Sequence, residues 1–263
     1  MDNVYTKDDI VVFVYTCGKY SKRANAIAQT WGKGVPCIHY ITDTNGMNLP
    51  NAVNFGKFEY KDLVSKSLLM WKYAYEKYGN SKKWFLKIDD DSYLFFDNLI
   101  RTLSAFDFRE PWYIGDTKSW SKHKKNEIFW VAGGSGILLS QKCLTKLMRF
   151  VNTPEKEDYF KTLSEKEDVA LGKQLHELGI PSTHVAGFHA KLESVLFQNL
   201  RNLISIHQLT PRNLWTVHIL FMVNARSLNE IYMRIHDLRF KIGLRTRLRE
   251  LFKGKKAKEK RSE

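Results

Sequence analysis

The segment Lys83–Asp91 (KWFLKIDDD) joins a mostly apolar run to three consecutive carboxylates. The apolar run, 84–88, is typical of a strand buried inside an α/β sheet. Ligands in such sheets bind beyond the carboxyl ends of the strands. Three adjacent carboxylates repel one another unless a cation compensates them, and hard divalent ions prefer oxygen ligands. The segment therefore predicts a cation site at a strand end, with a solvated acidic turn as the alternative.

The elements that precede this segment predict the fold class. Residues 10–15 (IVVFVY) and 35–42 (VPCIHYIT) have the composition of buried strands, and apolar residues at helical spacing lie between them over 21–31. An amphipathic helix is predicted over 62–78. Strand, helix and strand in this order predict an α/β layer fold.

An acidic pair, Glu167-Asp168, lies near the start of a helix predicted over 164–178. Ser164 and Glu167 have capping-box spacing, which predicts that Ser164 caps this helix. The helix dipole favours acidic residues in a first turn, so capping alone would explain the pair. The alternative is that one carboxylate takes a proton from an attacking hydroxyl as a general base.

Two further features are candidates for a site. The run Gly133–Gly136 (GGSG) lacks the spacing of a dinucleotide or P-loop fingerprint. Close backbone approach to a ligand, a β-bulge and a tight strand entry are the alternatives. His207 lies in an apolar run (LISIHQL) and needs a partner there, which a metal bound by Asp91 would supply. His189, at the end of another predicted strand, is the second candidate.

Charge is concentrated at the C-terminus. The chain carries 42 basic and 28 acidic residues, a net +14, and the 38 residues 226–263 hold 13 of the basic and five of the acidic ones. A basic tail disfavours a nucleic-acid-binding surface, which needs the charge spread over the folded domain. Residues 226–263 also have amphipathic spacing, which predicts a helix that either contacts an acidic membrane or packs one face on the domain.

The cysteine count and the hydropathy exclude other classes. Cys17, Cys37 and Cys143 are too few and too widely spaced for a disulfide framework or a zinc site, and we expect Cys17 and Cys37 as buried thiols in strands. No run of 18 apolar residues is present. The first residues have no signal-peptide pattern, so we expect either an intracellular protein or a soluble piece whose membrane anchor has been removed.

Several motifs, taken in order, resemble one family. Trp84–Tyr93, followed by Asp97-Asn98-Leu99, is similar to the donor-site segment of core 1 β1,3-galactosyltransferases, which belong with Fringe to the GT31 glycosyltransferases. Four other stretches are similar to family motifs: Arg23 with Thr30-Trp31, Gly133–Ser140, Glu167–Gly172, and the pair Phe188-His189 and Ile206-His207. Order and spacing agree from about residue 10 to 225.

The resemblance implies a GT-A fold, an α/β fold with a mixed, mostly parallel central sheet flanked by helices. It implies an inverting β1,3-transfer of a sugar, galactose first, from a UDP-sugar with Mn²⁺ or another divalent cation. The resemblance also implies a role for each residue of the site. Asp91 ligates the metal, Asp89 supports the metal or the ribose, His207 is a further ligand with His189 as the fallback, Asp168 is the base, and Arg23, Trp31, Asp43 and Asp90 hold the nucleotide.

The resemblance also sets the expected domains and partners. Residues 1–225 would form the GT-A domain, and 226–263 the basic helix and tail. The acceptor would be a glycan, a glycopeptide or a lipid-linked sugar, in the Golgi lumen if the chain is a truncated eukaryotic enzyme and otherwise in the cytoplasm. The basic C-terminal pattern, which is not a feature of the family, suggests peripheral membrane contact. The oligomeric state is left open, with a homodimer as one alternative, and no nucleic-acid partner is expected. The alternatives are a Fringe-like N-acetylglucosaminyltransferase, a non-catalytic carbohydrate-binding relative, and a basic membrane-surface protein.

Overall fold

The computed structural model describes residues 3–58, 62–119, 128–191 and 200–222. Within these four ranges, no helix is both long enough and apolar enough to cross a membrane. The domain boundary predicted after residue 225 and the basic helix predicted over 226–263 lie outside the described residues.

Twelve strands are found in the described ranges: β1 Ile10–Tyr15, β2 Ile38–Thr42, β3 Ala52–Asn54, β4 Trp84–Asp89, β5 Tyr93–Leu94, β6 Tyr113–Gly115, β7 Thr117–Ser119, β8 Phe129–Val131, β9 Ile137–Ser140, β10 Ser182–His184, β11 Phe188–His189 and β12 Ser205–Ile206. The α-helices there are α1 Ser21–Gln29, α2 Leu63–Tyr78, α3 Phe96–Leu103, α4 Gln141–Phe150, α5 Pro154–Thr162, α6 Glu167–Glu177 and α7 Pro211–Met222.

The central sheet has seven strands in the order β10-β6-β9-β4-β1-β2-β3. Strands β4, β1, β2 and β3 run parallel, as do β10 and β6, whereas β9 is antiparallel to both of its neighbours. The sheet is therefore mixed and mostly parallel, and helices cover both faces. This confirms the predicted α/β fold.

Strand β1 shows why the central strands are almost continuously apolar. All six of its side chains are buried, and they alternate between the two faces of the sheet. Ile10, Val12 and Val14 enter one core together with α1 and α3, and Val11 and Phe13 enter the other with α2, α4 and α6. A strand covered on both faces has no polar side, which is why its sequence lacks alternation.

The topology gathers loops at one edge of the sheet. The parallel strands β1, β2 and β4 end there, at Tyr15, Thr42 and Asp89. Antiparallel β9 begins at this edge, so the glycine run before it reaches the end of β4. A second sheet, β11-β12-β5, places the end of β12 beside the same turn. Four separate segments of sequence therefore meet beyond the carboxyl ends of the strands.

Two local predictions were wrong. The helix predicted from Ser164 begins instead at Glu167, and the Ser164 hydroxyl accepts from the Lys166 amide rather than capping the helix. The Glu167 carboxylate is bound to Lys87, so it cannot complete a capping box. Cys17 and Cys37 lie outside β1 and β2 and are half-buried. β1 ends at Tyr15, where its apolar run ends, and β2 begins at Ile38, three residues after its apolar pattern does.

Candidate active site

The acidic turn after β4 brings two carboxylates and an imidazole together. Asp91 Oδ1 lies 3.0 Å from His207 Nε2, and Asp89 Oδ2 lies 3.8 Å from the same nitrogen. One ligand atom from each of the three residues lies within 4.8 Å of the other two. His207 follows β12, which pairs with β5 just after the turn, and the Leu209 amide donates to the Asp91 carbonyl. The pairing of β12 with β5 therefore sets the position of the histidine over the acidic turn.

Gly134 allows this approach. A Cβ at this position would overlap the imidazole ring of His207, so only glycine fits. The Gly134 carbonyl accepts from the Ser92 hydroxyl at 2.7 Å and from the Asp89 amide at 3.3 Å. The glycine run thus joins the acidic turn and makes room for the histidine. The close approach seen here is to a side chain of the protein itself, and an approach to a ligand stays a prediction.

Opposite charges fix the ionisation of this cluster. Burial opposes ionisation of Asp89, but the Lys87 ammonium outweighs it, and the pKa of Asp89 falls below its ordinary value. Burial likewise opposes protonation of His207, but its hydrogen bond to Asp91 and the charges of Asp91 and Asp89 outweigh burial and raise its pKa. The cluster therefore favours the anionic form of Asp89. Two carboxylates and one imidazole form a donor set that fits a divalent cation.

Asp90 differs from its two neighbours. It is buried, and burial raises its pKa to about 6, although the nearby Arg23 guanidinium opposes the rise. Arg23 Nη1 lies 3.4 Å from Asp90 Oδ1 and 3.3 Å from Asp91 Oδ2, and its guanidinium covers the ring of Tyr20 at 4.4 Å. Arg23 is thus held at the acidic turn by two carboxylates and an aromatic face.

Lys87 links the turn to helix α6. Its side chain is buried to 1% exposure in β4, and Nζ lies 2.7 Å from both Asp89 Oδ1 and Glu167 Oε1. Nζ also lies 4.5 Å from the centre of the Tyr15 ring. Burial disfavours the charged ammonium, but the two carboxylates outweigh it and raise the pKa of Lys87. The lysine is therefore a fixed cation between two acidic segments.

Asp168 lies on the next residue of α6. Its Oδ2 accepts from the Gly133 amide at 3.2 Å, and its Oδ1 accepts from its own helix at the Val169 amide. A Cβ on Gly133 would come 2.6 Å from Glu167 Oε1 and 3.3 Å from the Asp168 Cβ, so a side chain at Gly133 would crowd α6. The predicted base and the predicted metal ligands thus meet across the glycine run. The structure brings together six sequence-predicted residues: Arg23, Asp89, Asp90, Asp91, Asp168 and His207.

A cleft of about 520 Å³ opens beside the acidic turn. Its described lining includes the three aspartates of the turn together with Arg23 and Asp43, which were predicted as nucleotide contacts. Asp43 follows β2, and its carboxylate accepts from the Gly18 amide at 2.9 Å. Burial opposes ionisation of Asp43, but this amide and the Thr44 hydroxyl lower its pKa.

The cleft also contains basic and aromatic groups that the sequence analysis did not identify. Lys66 of α2 is buried, donates to the Thr16 carbonyl at 2.9 Å, and has its pKa lowered by burial. Tyr20 and Lys19 lie at the rim. Arg23, Lys66 and Lys19 therefore place positive charge next to the carboxylates. A ligand with both a metal-binding and an anionic part suits such a cleft.

Trp31 and His189 lie near the site but outside the cluster. Trp31 is buried, and its indole Nε1 donates to the Ser92 carbonyl at 3.0 Å, so it supports the acidic turn from the core. Its predicted contact with the nucleotide stays a prediction. His189 is buried in β11 and its carbonyl accepts from the His207 amide, and the cation cluster among the described residues contains His207 rather than His189.

One signal in the sequence would have identified Lys87. A lysine in the middle of an otherwise apolar strand must be either exposed or paired, because an unpaired buried charge is strongly disfavoured. Glu167 has no comparable signal, since acidic residues are common in first turns. Lys66 lies within the amphipathic pattern of α2 and resembles any surface lysine.

Comparison with known families identifies a family to which the chain belongs. The family model described as Fringe-like matches residues 5–232, which is most of the chain. The chain belongs to the Fringe-like family. All the residues of the cation cluster and the cleft lie within the matched range.

Curated relatives carry transferase names. A glycoprotein-N-acetylgalactosamine 3-beta-galactosyltransferase 1 from Xenopus laevis is 28% identical over 60% of this chain and 42% of its own length. The Drosophila melanogaster Fringe glycosyltransferase is 26% identical over 52% and 37%. A beta-1,3-N-acetylglucosaminyltransferase lunatic fringe from Danio rerio is 26% identical over 76% and 63%. The matches thus span less than two thirds of each of these relatives.

Proposed function

We propose that this protein is a metal-dependent inverting β1,3-glycosyltransferase. It transfers a sugar, galactose in the first instance, from a UDP-sugar to a hydroxyl of a glycan or glycoconjugate. The observation that carries the proposal is the meeting of Asp89, Asp91 and His207 with Asp168 across the glycine run. Membership of the Fringe-like family and the transferase names of its relatives support it.

The groups that line the cleft suit a nucleoside diphosphate. Asp89, Asp91 and His207 would hold a Mn²⁺ ion, which when bound neutralises the charge of the departing diphosphate. Arg23 and Lys66 line the same cleft and supply fixed positive charge to phosphate oxygens. Asp43, beyond β2, presents an ionised carboxylate that suits a ribose or base donor group.

Asp168 supplies the base. An inverting transfer needs a carboxylate that takes the proton of the acceptor hydroxyl on the side opposite the leaving group. The Gly133 amide and the Val169 amide hold the Asp168 carboxylate in place. A positioned general base contributes roughly 10²–10⁴-fold to the rate.

The test is a donor screen. UDP-galactose, UDP-glucose, UDP-N-acetylglucosamine and GDP-mannose are each incubated with the protein, Mn²⁺ and a mixture of O-linked glycopeptides and free glycans. We expect nucleotide release and product formation with a UDP-sugar only, and loss of both with EDTA. Product formation from GDP-mannose, or full activity in EDTA, would contradict the proposal.

A further inference from the structure

The cation cluster has a buried counter-charge on its far side. We propose that Lys87 is a positioning residue which, together with Glu167, sets the effective charge at Asp89 and so the affinity of the site for a divalent cation. The inference rests on the proposed function, because it concerns the same cation site. Nothing in the acidic motif itself requires a lysine two residues before Asp89.

The contacts define the orientation of Asp89. Lys87 Nζ lies 2.7 Å from Asp89 Oδ1, and Asp89 Oδ2 is the oxygen that lies toward His207, at 3.8 Å. Lys87 therefore engages one carboxylate oxygen and leaves the other for the cluster. Because the lysine side chain is only 1% exposed, it has little freedom to turn away.

Glu167 balances the lysine. Its Oε1 lies 2.7 Å from Lys87 Nζ, and its side chain is largely buried at 13% exposure. Without Glu167 the ammonium would have Asp89 as its one remaining carboxylate partner among these three residues, and the site would carry one more positive charge. Without Lys87 the carboxylates of Asp89 and Glu167 would have no cation between them. The pair therefore adjusts the charge of the site from a position outside the cleft.

This arrangement predicts opposite effects from its two members. Lys87→Met removes a cation beside a metal-binding carboxylate and should tighten Mn²⁺ binding by about threefold or more at neutral pH. Glu167→Gln keeps an oxygen that accepts from Lys87 but removes a negative charge, so it should weaken Mn²⁺ binding by about threefold or more. A merely structural pair would weaken binding in both variants.

The experiment is a Mn²⁺ titration at saturating UDP, followed by the electron paramagnetic resonance signal of free Mn²⁺. A distant lysine–glutamate pair, Lys72 and Glu157 at 2.6 Å, provides matched controls as Lys72→Met and Glu157→Gln. Neither control should change the affinity for Mn²⁺. The double variant Lys87→Met/Glu167→Gln removes one charge of each sign and should bind Mn²⁺ close to wild type.

Removing one partner of a buried ion pair is strongly destabilising, so Lys87→Met could fail to fold. The double variant then provides the comparison instead. In that case Glu167→Gln must bind more weakly than the double variant. Changes of the same sign in both single variants, or no change in either, would overturn the inference. Absence of Mn²⁺ binding by the wild type would contradict the proposed function instead, so the two failures are distinct.

Discussion

His39 and His207 lie in opposite surroundings: His39 is buried, whereas the side chain of His207 is 19% exposed. His39, in β2, is stacked on Phe13 with ring centres 5.7 Å apart, and its Nε2 lies 2.5 Å from the Tyr78 hydroxyl. His207, after β12, faces Asp91 and Asp89. Burial, with help from Lys77, lowers the pKa of His39 to about 4, whereas the carboxylates raise that of His207. Burial therefore does not mark a functional histidine; the carboxylates that face His207 do.

The contributions of the two histidines to the stability of the fold also change with pH in opposite directions. His39 has a folded pKa below the ordinary 6.5, so its neutral form is required, and stability falls as pH drops from about 6.5 toward 4. The ion pairs of His207 stabilise the fold below pH 6.5, and this contribution is lost as pH rises through its raised folded pKa. A cation needs the neutral imidazole, so metal binding strengthens over the same rise in pH.

The largest effect is expected from replacing Asp168, on the turnover of the enzyme. Asp168→Asn retains the shape and an oxygen that accepts from the Gly133 amide but removes the base. Turnover should fall by roughly 10²–10⁴-fold. Steady-state rates of UDP release with the best donor measure this, and Mn²⁺–UDP binding should stay near wild type. Unchanged turnover would show that the proton goes elsewhere.

The protonation of His39, which is packed among aromatic side chains, should control how much stability the fold loses at acid pH. Replacing His39 by glutamine removes the titrating group while keeping a polar side chain beside Tyr78. Urea unfolding of wild type and variant at pH 7 and near pH 4 should show the wild type losing up to about 3 kcal/mol more than His39→Gln on acidification. Equal losses in the two proteins would mean that His39 titrates normally, and the contrast with His207 would disappear.

A single added methyl group should change Mn²⁺ affinity beside His207 and leave it unchanged elsewhere. Gly134→Ala places a Cβ against the His207 imidazole, so we expect Mn²⁺ affinity to fall by about tenfold or more because one ligand is displaced. Gly34→Ala is the control, since nothing lies within 4 Å of a Cβ there. A titration with Mn²⁺ in the presence of UDP compares the two. Equal affinity in both variants would exclude His207 as a ligand.

The smallest effect tests a residue behind the acidic turn. Trp31→Phe removes the indole donor from the buried Ser92 carbonyl while keeping an aromatic ring in the core. The free energy of unfolding should fall by about 1–2 kcal/mol. Affinity for UDP should change less than twofold if Trp31 only supports the turn. A large loss of UDP affinity at unchanged stability would establish the direct nucleotide contact that the sequence predicts.

Much of the fold could be predicted because its signals are local. The run 10–15 is apolar throughout because β1 is covered on both faces, and the amphipathic pattern over 62–78 matches α2 within one residue. Boundaries set by tertiary contacts were missed. Glu167 begins α6 without a capping box because Lys87, 80 residues earlier in sequence, binds its carboxylate.

The site could be predicted only in part for the same reason. Asp89, Asp90 and Asp91 are consecutive in sequence, so their proximity needs no fold. The residue pattern already offered the pair Glu167-Asp168 and His207, and the resemblance selected Asp168 as the base. The role of Gly134 depends on a ring that comes from 73 residues away, and no local pattern shows it. Lys66 is buried beneath the cleft although its sequence context is that of a surface helix.

The central claim is that Asp91 and His207 hold a divalent cation that binds together with UDP. Thermal unfolding of wild type and Asp91→Asn with UDP alone, Mn²⁺ alone and both measures it directly, because a ligand that binds only the folded state must raise the midpoint. We predict that in the wild type the two ligands together raise the midpoint by more than the sum of their separate effects, and that Asp91→Asn loses this excess. An equal excess in both proteins, or no rise at millimolar UDP and Mn²⁺, would contradict the account.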